Sequence, residues 1–172
     1  SDLLVFGKRA GENAAVWAQR HSGGTIDDGT VNQMADDALA PMERQGGENP
    51  YEIQQDLQDT MQDLVGIARQ EDELETAIVQ IGDLSRRAQQ AFAPGNREYN
   101  PGWHTAMDLP NLLTAAEAVT RSALIRRESR GAHSRIDHPE KDAELGSLNT
   151  VVRRSDSGEM DVEQITVIAQ TD

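Results

Sequence analysis

Beyond residue 49, apolar positions recur at steps of three and four, the spacing of one buried helix face. Ile53, Leu57, Met61, Leu64, Val65 and Ala68 form the first series, with Glu52, Asp56, Asp59 and Asp63 on the opposite face. Asn49 can cap this helix, and Pro50 suits its first turn, where no N–H is needed. After Gln70-Glu71-Asp72 a second series runs through Leu74, Ala77, Ile78, Ile81, Leu84, Ala88 and Phe92, and Pro94-Gly95 stops it. A third starts at about Asp108 and runs through Leu109, Leu112, Leu113, Ala116, Val119, Ala123 and Leu124. Asp108 is a good cap, and Pro110 then falls in the first turn. Gly131 is a natural stop, with Arg126, Arg127 and Arg130 complementing the negative end of the helix dipole. Three amphipathic helices on short connections predict an antiparallel three-helix bundle.

The ends read differently. Near the N-terminus, Gly7, Ala10, Gly11, Ala14, Ala15 and Ala18 repeat close to helical spacing, and Ser1 or Asp2 can cap that helix. A glycine inside a helix costs about 1 kcal/mol against alanine, so two of them imply a neighbour pressed on that face. Residues 21–30, with Gly23, Gly24 and Gly29, predict a flexible linker, and Val31 to Glu43 a short helix interrupted at Pro41. In the tail, Leu148 to Arg154 and Glu159 to Ile168 flank Ser155-Asp156-Ser157-Gly158, which predicts a β-hairpin. A hairpin alone is marginal in water, so it is expected to pack on something. The predicted fold is therefore mainly α. A separate N-terminal helix (1–20) and a linker with a short helix (21–48) precede the bundle (49–135), and an extended tail with the hairpin follows (136–172).

Composition supports helices. Apolar residues are 37% of the chain and aromatics only 3%, so the core must come from Leu, Ile, Val, Ala and Met rather than from the aromatics a sandwich favours. The formal charge of -14 argues against nucleic-acid or anionic-membrane partners, both polyanions. That charge is uneven. Residues 21–85 hold 15 acids and 2 bases, whereas residues 86–135 hold 8 Arg and 4 acids, a pattern that suits either solvated helix faces or an oriented docking surface. There is no cysteine, which removes disulfides, thiolate metal sites and cysteine nucleophiles. No apolar run approaches a membrane span. The chain opens on Ser1-Asp2-Leu3-Leu4 without Met, as expected of a processed product or a piece of a longer protein.

Candidate chemistry concentrates in Arg126-Arg127-Glu128-Ser129-Arg130-Gly131-Ala132-His133-Ser134-Arg135-Ile136-Asp137-His138. Arginine presents a planar fork of donors suited to carboxylate or phosphate, and four of them in ten residues need partners. Helix capping with salt bridges is one account. A docking surface made by Arg126, Arg127, Arg130, His133 and Arg135 is the other. His133 and His138 with Asp137 fit no strong metal pattern and lack a fourth ligand. Ser129, His133 and Asp137 lack the nucleophile elbow of a serine hydrolase. No metal ligand, catalytic residue or cofactor contact is assigned. A second loop, Tyr99-Asn100-Pro101-Gly102-Trp103-His104, is either anchored on the bundle by Trp103 or open to a ligand. Gly7 and Gly11 do not form a dinucleotide-binding turn.

Three stretches together resemble one family. Arg127-Glu128-Ser129-Arg130-Gly131-Ala132-His133-Ser134-Arg135, followed by Asp137, Pro139 and Asp142, is similar to the C-terminal signature of succinate dehydrogenase and fumarate reductase flavoproteins. Asp2 to Gly11 resembles the helix that ends their flavin domain. Tyr99 to His104, then Asp108-Leu109 and Asn111-Leu112-Leu113, resembles the lead-in to their last bundle helix. Pro110 departs from the pattern, where a helix-friendly residue is expected.

The resemblance implies a parent flavoprotein with covalent FAD that exchanges hydride with succinate and passes electrons to an iron–sulfur subunit and a membrane anchor. It implies a parent held at the cytoplasmic face of the inner membrane through those subunits. It places the flavin-linking, substrate-binding and proton-shuttling residues upstream of Ser1, so no FAD is expected in this chain itself. The chain is then expected to be inactive alone and to brace and dock on the flavin domain of its own polypeptide. Its first helix would otherwise be free to be swapped with a second copy, giving a homodimer. The alternatives are the C-terminal domain of L-aspartate oxidase, which shares a similar Ser-Arg-Gly-x-His end, and a stand-alone acidic helical adaptor for a basic partner.

Overall fold

The computed structural model describes residues 2–167. The chain divides into two compact units, one up to Asp37 and one from Ala38.

The first unit contains α1 (Asp2–Arg20) and most of α2 (Asp28–Glu43). Asn13 Nδ2 donates to Arg9 O, and the His21 ring stacks on Trp17 at 4.2 Å. Asp27 caps α2, accepting from the Thr30 backbone N–H at 2.7 Å and from the Thr30 hydroxyl at 2.6 Å. None of the described residues of α1 is buried, and a Cβ added at Gly7 or Gly11 would meet nothing within 4 Å. The neighbour that these small residues anticipate is therefore not supplied within the first unit. The helix expected over 31–43 starts earlier, at Asp28, because Asp27 provides a cap, and Pro41 sits inside it without ending it. Pro41 is buried, and its carbonyl accepts from Ala93 N at 2.8 Å, so packing offsets the missing N–H.

The second unit holds the bundle of α3 (Pro50–Leu64), α4 (Glu71–Ala88) and α5 (Pro101–Ile125). Glu48, just before α3, pairs with Ala91, just after α4, so these two helices run antiparallel. The start of α5 returns to the start of α3, where Gly102 faces the Tyr51 ring, so α5 runs alongside α3. Ile53, Leu57, Ile81, Leu84, Leu109 and Leu113 make one core cluster, and Val65, Leu74, Ala77 and Ala123 another nearer the far end. The aliphatic spacing placed nearly all of these, although Leu112 and Val119 face outward.

The third helix begins earlier than its pattern implied. Asn100, not Asp108, is the cap, accepting from Trp103 N at 3.0 Å, and Pro101 rather than Pro110 occupies the first turn. Pro110 then lies in the interior, a position costing about 3 kcal/mol on propensity alone. Leu109 and Leu113, both buried, anchor the helix on either side of it. Trp103 accounts for the early start: its indole N–H donates to Ala38 O at 2.6 Å and its ring packs on the core.

The hairpin expected in the tail is present. β3 (Leu148–Arg154) and β4 (Met160–Thr166) pair antiparallel, with Val152 opposite Val162, and the hairpin lies against α5. The expected second arm extended to Ile168, which lies outside the described residues. A shorter pairing joins β1 (Ala68–Arg69) and β2 (Ser134–Arg135) in parallel. It ties the α3–α4 connection to the segment that follows α5.

Candidate functional site

The arginine-rich segment forms a clasp over the end of the bundle where α5 finishes and α4 begins. α5 ends at Ile125, because Arg126 leaves helical geometry at φ -90, ψ 90. The stop expected at Gly131 is thus five residues late. Gly131 serves a different purpose. Its φ of +61 lets Arg130 and His133 exchange backbone hydrogen bonds across a tight turn.

That turn folds the chain back so that Arg135 reaches the open carbonyls of α5. Its Nη1 donates to Ala123 O at 3.0 Å and Leu124 O at 3.2 Å. The arginine complementing the C-terminus of the helix is therefore Arg135, not Arg126, Arg127 or Arg130. Arg135 is 1% exposed and needs a counter-charge. Asp137 supplies it, with Nε to Oδ1 at 2.8 Å and Nη2 to Oδ2 at 2.7 Å. Asp137 Oδ2 also accepts from the Glu71 backbone N–H at 3.0 Å, capping α4, whose own N-cap residue Gln70 makes no side-chain bond. One ion pair, its arginine buried and its carboxylate partly exposed, thus ties the negative end of α5 to the positive end of α4. The Arg135 hydrogen bonds hold the Asp137 carboxyl well below the usual range, against the opposing effect of burial.

Glu128 is the second anchor and is 1% exposed. Its Oε1 accepts from Arg126 Nε at 2.9 Å and Arg130 Nε at 3.0 Å, and its Oε2 from Arg130 Nη2 at 3.1 Å and Asp142 N at 2.8 Å. The Arg130 hydrogen bond leads in pushing its pKa down to about 2, with the Asp142 amide and Arg126 adding to it and burial opposing. Arg126 further donates to Leu145 O and Leu148 O, carrying the clasp to the start of the hairpin. Arg127 pairs outward with Glu71 at 2.6 Å.

His133 is fixed as a neutral ring. Nε2 lies 2.9 Å from Arg126 O and must donate to it, and Nδ1 accepts from Arg69 Nη1 at 2.8 Å. Burial, chiefly, lowers its pKa, with the nearby guanidiniums of Arg69, Arg135 and Arg126 reinforcing the effect. Ser129 Oγ accepts from Arg135 N at 2.8 Å and lies 2.9 Å from His138 O. Ser129, His133 and Asp137 are therefore each committed to other partners and form no relay. For a metal, the fold gathers Glu71, Asp137 and His138, with donor atoms within 4.8 Å of one another. A guanidinium already holds both Asp137 oxygens, and Arg127 holds Glu71.

Arg126, Arg127, Arg130, His133 and Arg135 are thus brought together, but around acids drawn from inside and outside their own segment. Glu128 sits between two of them in the sequence, a signal available from spacing alone. Glu71 and Arg69 lie more than fifty residues away, and nothing local announced them. In the other notable loop, Trp103 anchors on the bundle while Tyr99 is 97% exposed at φ +55. Among the described residues, no helix is long and apolar enough to cross a membrane.

Comparison with known proteins agrees with the geometry. Residues 54–171 match the family described as fumarate reductase flavoprotein C-term. The fumarate reductase flavoprotein subunit of Mycobacterium tuberculosis is 35% identical over 176 residues, covering 96% of this chain and 30% of that protein. Among solved structures, the Mycobacterium smegmatis Sdh1 complex in the apo form superposes with a TM-score of 0.88 at 39% identity, over 99% of this chain and 29% of the other. The E. coli quinol fumarate reductase FrdA superposes with a TM-score of 0.87 at 26% identity, over 98% and 30% respectively. The chain spans about three-tenths of the length of the relatives it matches.

Proposed function

The chain belongs to the fumarate reductase flavoprotein C-terminal family, and from that membership we propose that it is the helical C-terminal part of a flavoprotein interconverting succinate and fumarate by hydride transfer with FAD. Its own work in that parent is to brace and dock, not to do chemistry. The observation carrying this reading is that the central side chains of the clasp are structural: Glu128, Ser129, His133 and Asp137 each hold the backbone or an arginine in place.

The helix starts of the bundle do not fit the pyrophosphate of FAD. A pyrophosphate is usually held by open N–H groups at a helix start. Here Asn49, Asp137 and Asn100 already cap α3, α4 and α5. This supports assigning the flavin, and the hydride step it supplies, to the rest of the parent polypeptide. The uncovered small-residue face of α1 supports docking on that flavin domain, or exchange with a second copy where the domain is missing. Docking by the arginine segment runs through Arg127 and Arg130, whose side chains keep 60% and 39% of their exposure. Arg126, His133 and Arg135 hold the segment in shape. The further partners we propose for the parent are an iron–sulfur subunit and a membrane anchor, holding it at the cytoplasmic face of the inner membrane.

The test is spectroscopic and enzymatic. The purified chain should carry no flavin absorbance and should not oxidise succinate with an artificial electron acceptor. Added to a flavin-containing polypeptide that lacks this region, it should bind and restore turnover. A yellow, succinate-oxidising chain, or one that fails to associate, overturns the reading.

A further inference from the structure

Three of the chain's six prolines meet on one wall of the bundle unit, at the end opposite the clasp. Pro50 and Pro101 open α3 and α5, and Pro94 lies in the loop after α4. With Tyr51 and Phe92 they line a depression of about 440 Å³. Its lining holds no charged side chain, although charged residues are 27% of the chain. The groove between α3 and α4 is the contrast, since Asp56, Asp59, Asp63 and Asp83 line it. The uncharged wall is firmly built. A Cβ on Gly102 would come within 3.8 Å of the Tyr51 ring, and one on Gly47 would meet Phe92 Cβ at 3.0 Å, so both aromatic residues lie close against glycine backbone. Tyr51 is nonetheless 47% exposed, and its hydroxyl has no partner among the described residues.

The residue before Asn100, which also lines the wall, is held in a disfavoured state. Tyr99 has a φ of +55, left-handed geometry that opposes any residue with a Cβ. It is 97% exposed and its hydroxyl has no partner among the described residues, so no burial within the chain offsets that geometry. The loop is fixed on both sides of it: Arg97 pairs with Glu43 at 3.3 Å, and Asn100 Nδ2 donates to Ala93 O at 3.3 Å. Strain kept in this way marks sites of use.

The polar groups of the wall select its occupant. Asn49 Oδ1 already accepts from Tyr51 N, Asn100 Oδ1 from Trp103 N and Ala93 O from Asn100 Nδ2. A segment rich in N–H groups would find few acceptors here, whereas proline brings no N–H to satisfy. The two phenol hydroxyls remain as donors. We infer that this wall binds an uncharged, proline-rich segment of another protein in polyproline II conformation. Its rings pack on Tyr51, Phe92 and the three prolines, and its carbonyls accept from the hydroxyls of Tyr51 and Tyr99. Such a segment has free carbonyls and loses little freedom on binding, because it is already extended. The site stands on residues of this chain and goes beyond the bracing role proposed above.

The probe is decaproline capped at both ends, titrated into the chain while nuclear magnetic resonance follows the backbone amides of Gly47, Tyr51 and Gly102. The expected result is a saturable shift of these signals that a capped glycine-serine peptide of equal length does not produce. Tyr51→Ala should weaken binding about tenfold or more, as loss of an aromatic anchor does. Tyr51→Phe should weaken it about threefold through loss of one hydrogen bond. Tyr99→Gly should also weaken it about threefold without lowering the melting temperature, because glycine adopts positive φ freely. A Tyr99 of purely structural use would instead lose stability and leave affinity unchanged. No saturable shift at millimolar peptide, shifts that the glycine-serine peptide reproduces, tighter binding of a lysine-rich peptide, or unchanged affinity in Tyr51→Ala each overturn the inference. If Tyr51→Ala does not fold, unchanged affinity in Tyr51→Phe overturns it instead.

Discussion

α1 and α5 are both long helices rich in alanine and leucine, yet α5 buries six residues and the described part of α1 buries none. Leu3 is 91% exposed, whereas Leu109 is fully buried. The contrast shows that an apolar helical stripe states only a demand for a partner. In α5 the demand is met by α3 and α4, which its own chain brings alongside. The stripe of α1 carries the same demand, and its glycines leave room for a backbone that its own unit does not supply.

The sharpest way to break this comparison is to attack the clasp that closes the bundle. Arg135→Met should destabilise the chain by about 3–5 kcal/mol in urea unfolding, because Asp137 and the last α5 carbonyls lose their buried partner. Arg127→Met, at the exposed pair with Glu71, should change stability by about 1 kcal/mol or less. Equal effects would mean that the clasp does not hold the bundle. Next in size, Leu109→Ala should cost about 2–5 kcal/mol by leaving a cavity, while Leu3→Ala should stay within ~0.5 kcal/mol. A matching loss at Leu3 would show that α1 is already packed on a partner.

Acid should act on the clasp in two stages. His133 is held neutral with its pKa below the ordinary 6.5, so as pH falls below 6.5 the unfolded chain takes up a proton that the folded chain resists, and stability declines. Glu128 keeps its charge down to about pH 2 in the fold but only to about 4.5 when unfolded, so its contribution is present above 4.5 and is lost between those values. Unfolding measured against pH should show both declines, and His133→Gln should flatten the first alone. The smallest effect concerns where α5 begins. Asn100→Ala should cost about 1 kcal/mol as a lost cap, and Asp108→Ala about 0.5 kcal/mol or less. The reverse order would restore the later start.

Helix starts and stops were the least legible features. Asn49-Pro50 announced α3 because cap and proline stand together. Asn100-Pro101 carries the same signal, but Asp108-Pro110 competes with it locally. Only the anchoring of Trp103 on Ala38 O decides between them. Gly131 looked like a helix stop because glycine tolerates left-handed geometry, and it does adopt that geometry, but in the turn after the helix. The clasp arginines were visible as a cluster. Their distant partners were not, since Arg69 comes from the α3–α4 connection and Glu71 from the start of α4, and both reach the cluster through the β1–β2 pairing.

The sequence by itself determined three amphipathic helices, a terminal hairpin and the family signature, because aliphatic periodicity and short motifs are local properties. Tertiary structure alone decided which charges are satisfied. Asp137 caps α4, and the Arg135 it holds caps α5, because folding brings two helix ends of opposite polarity within reach of one ion pair. Such placement depends on distances across the fold, which no spacing along the chain encodes.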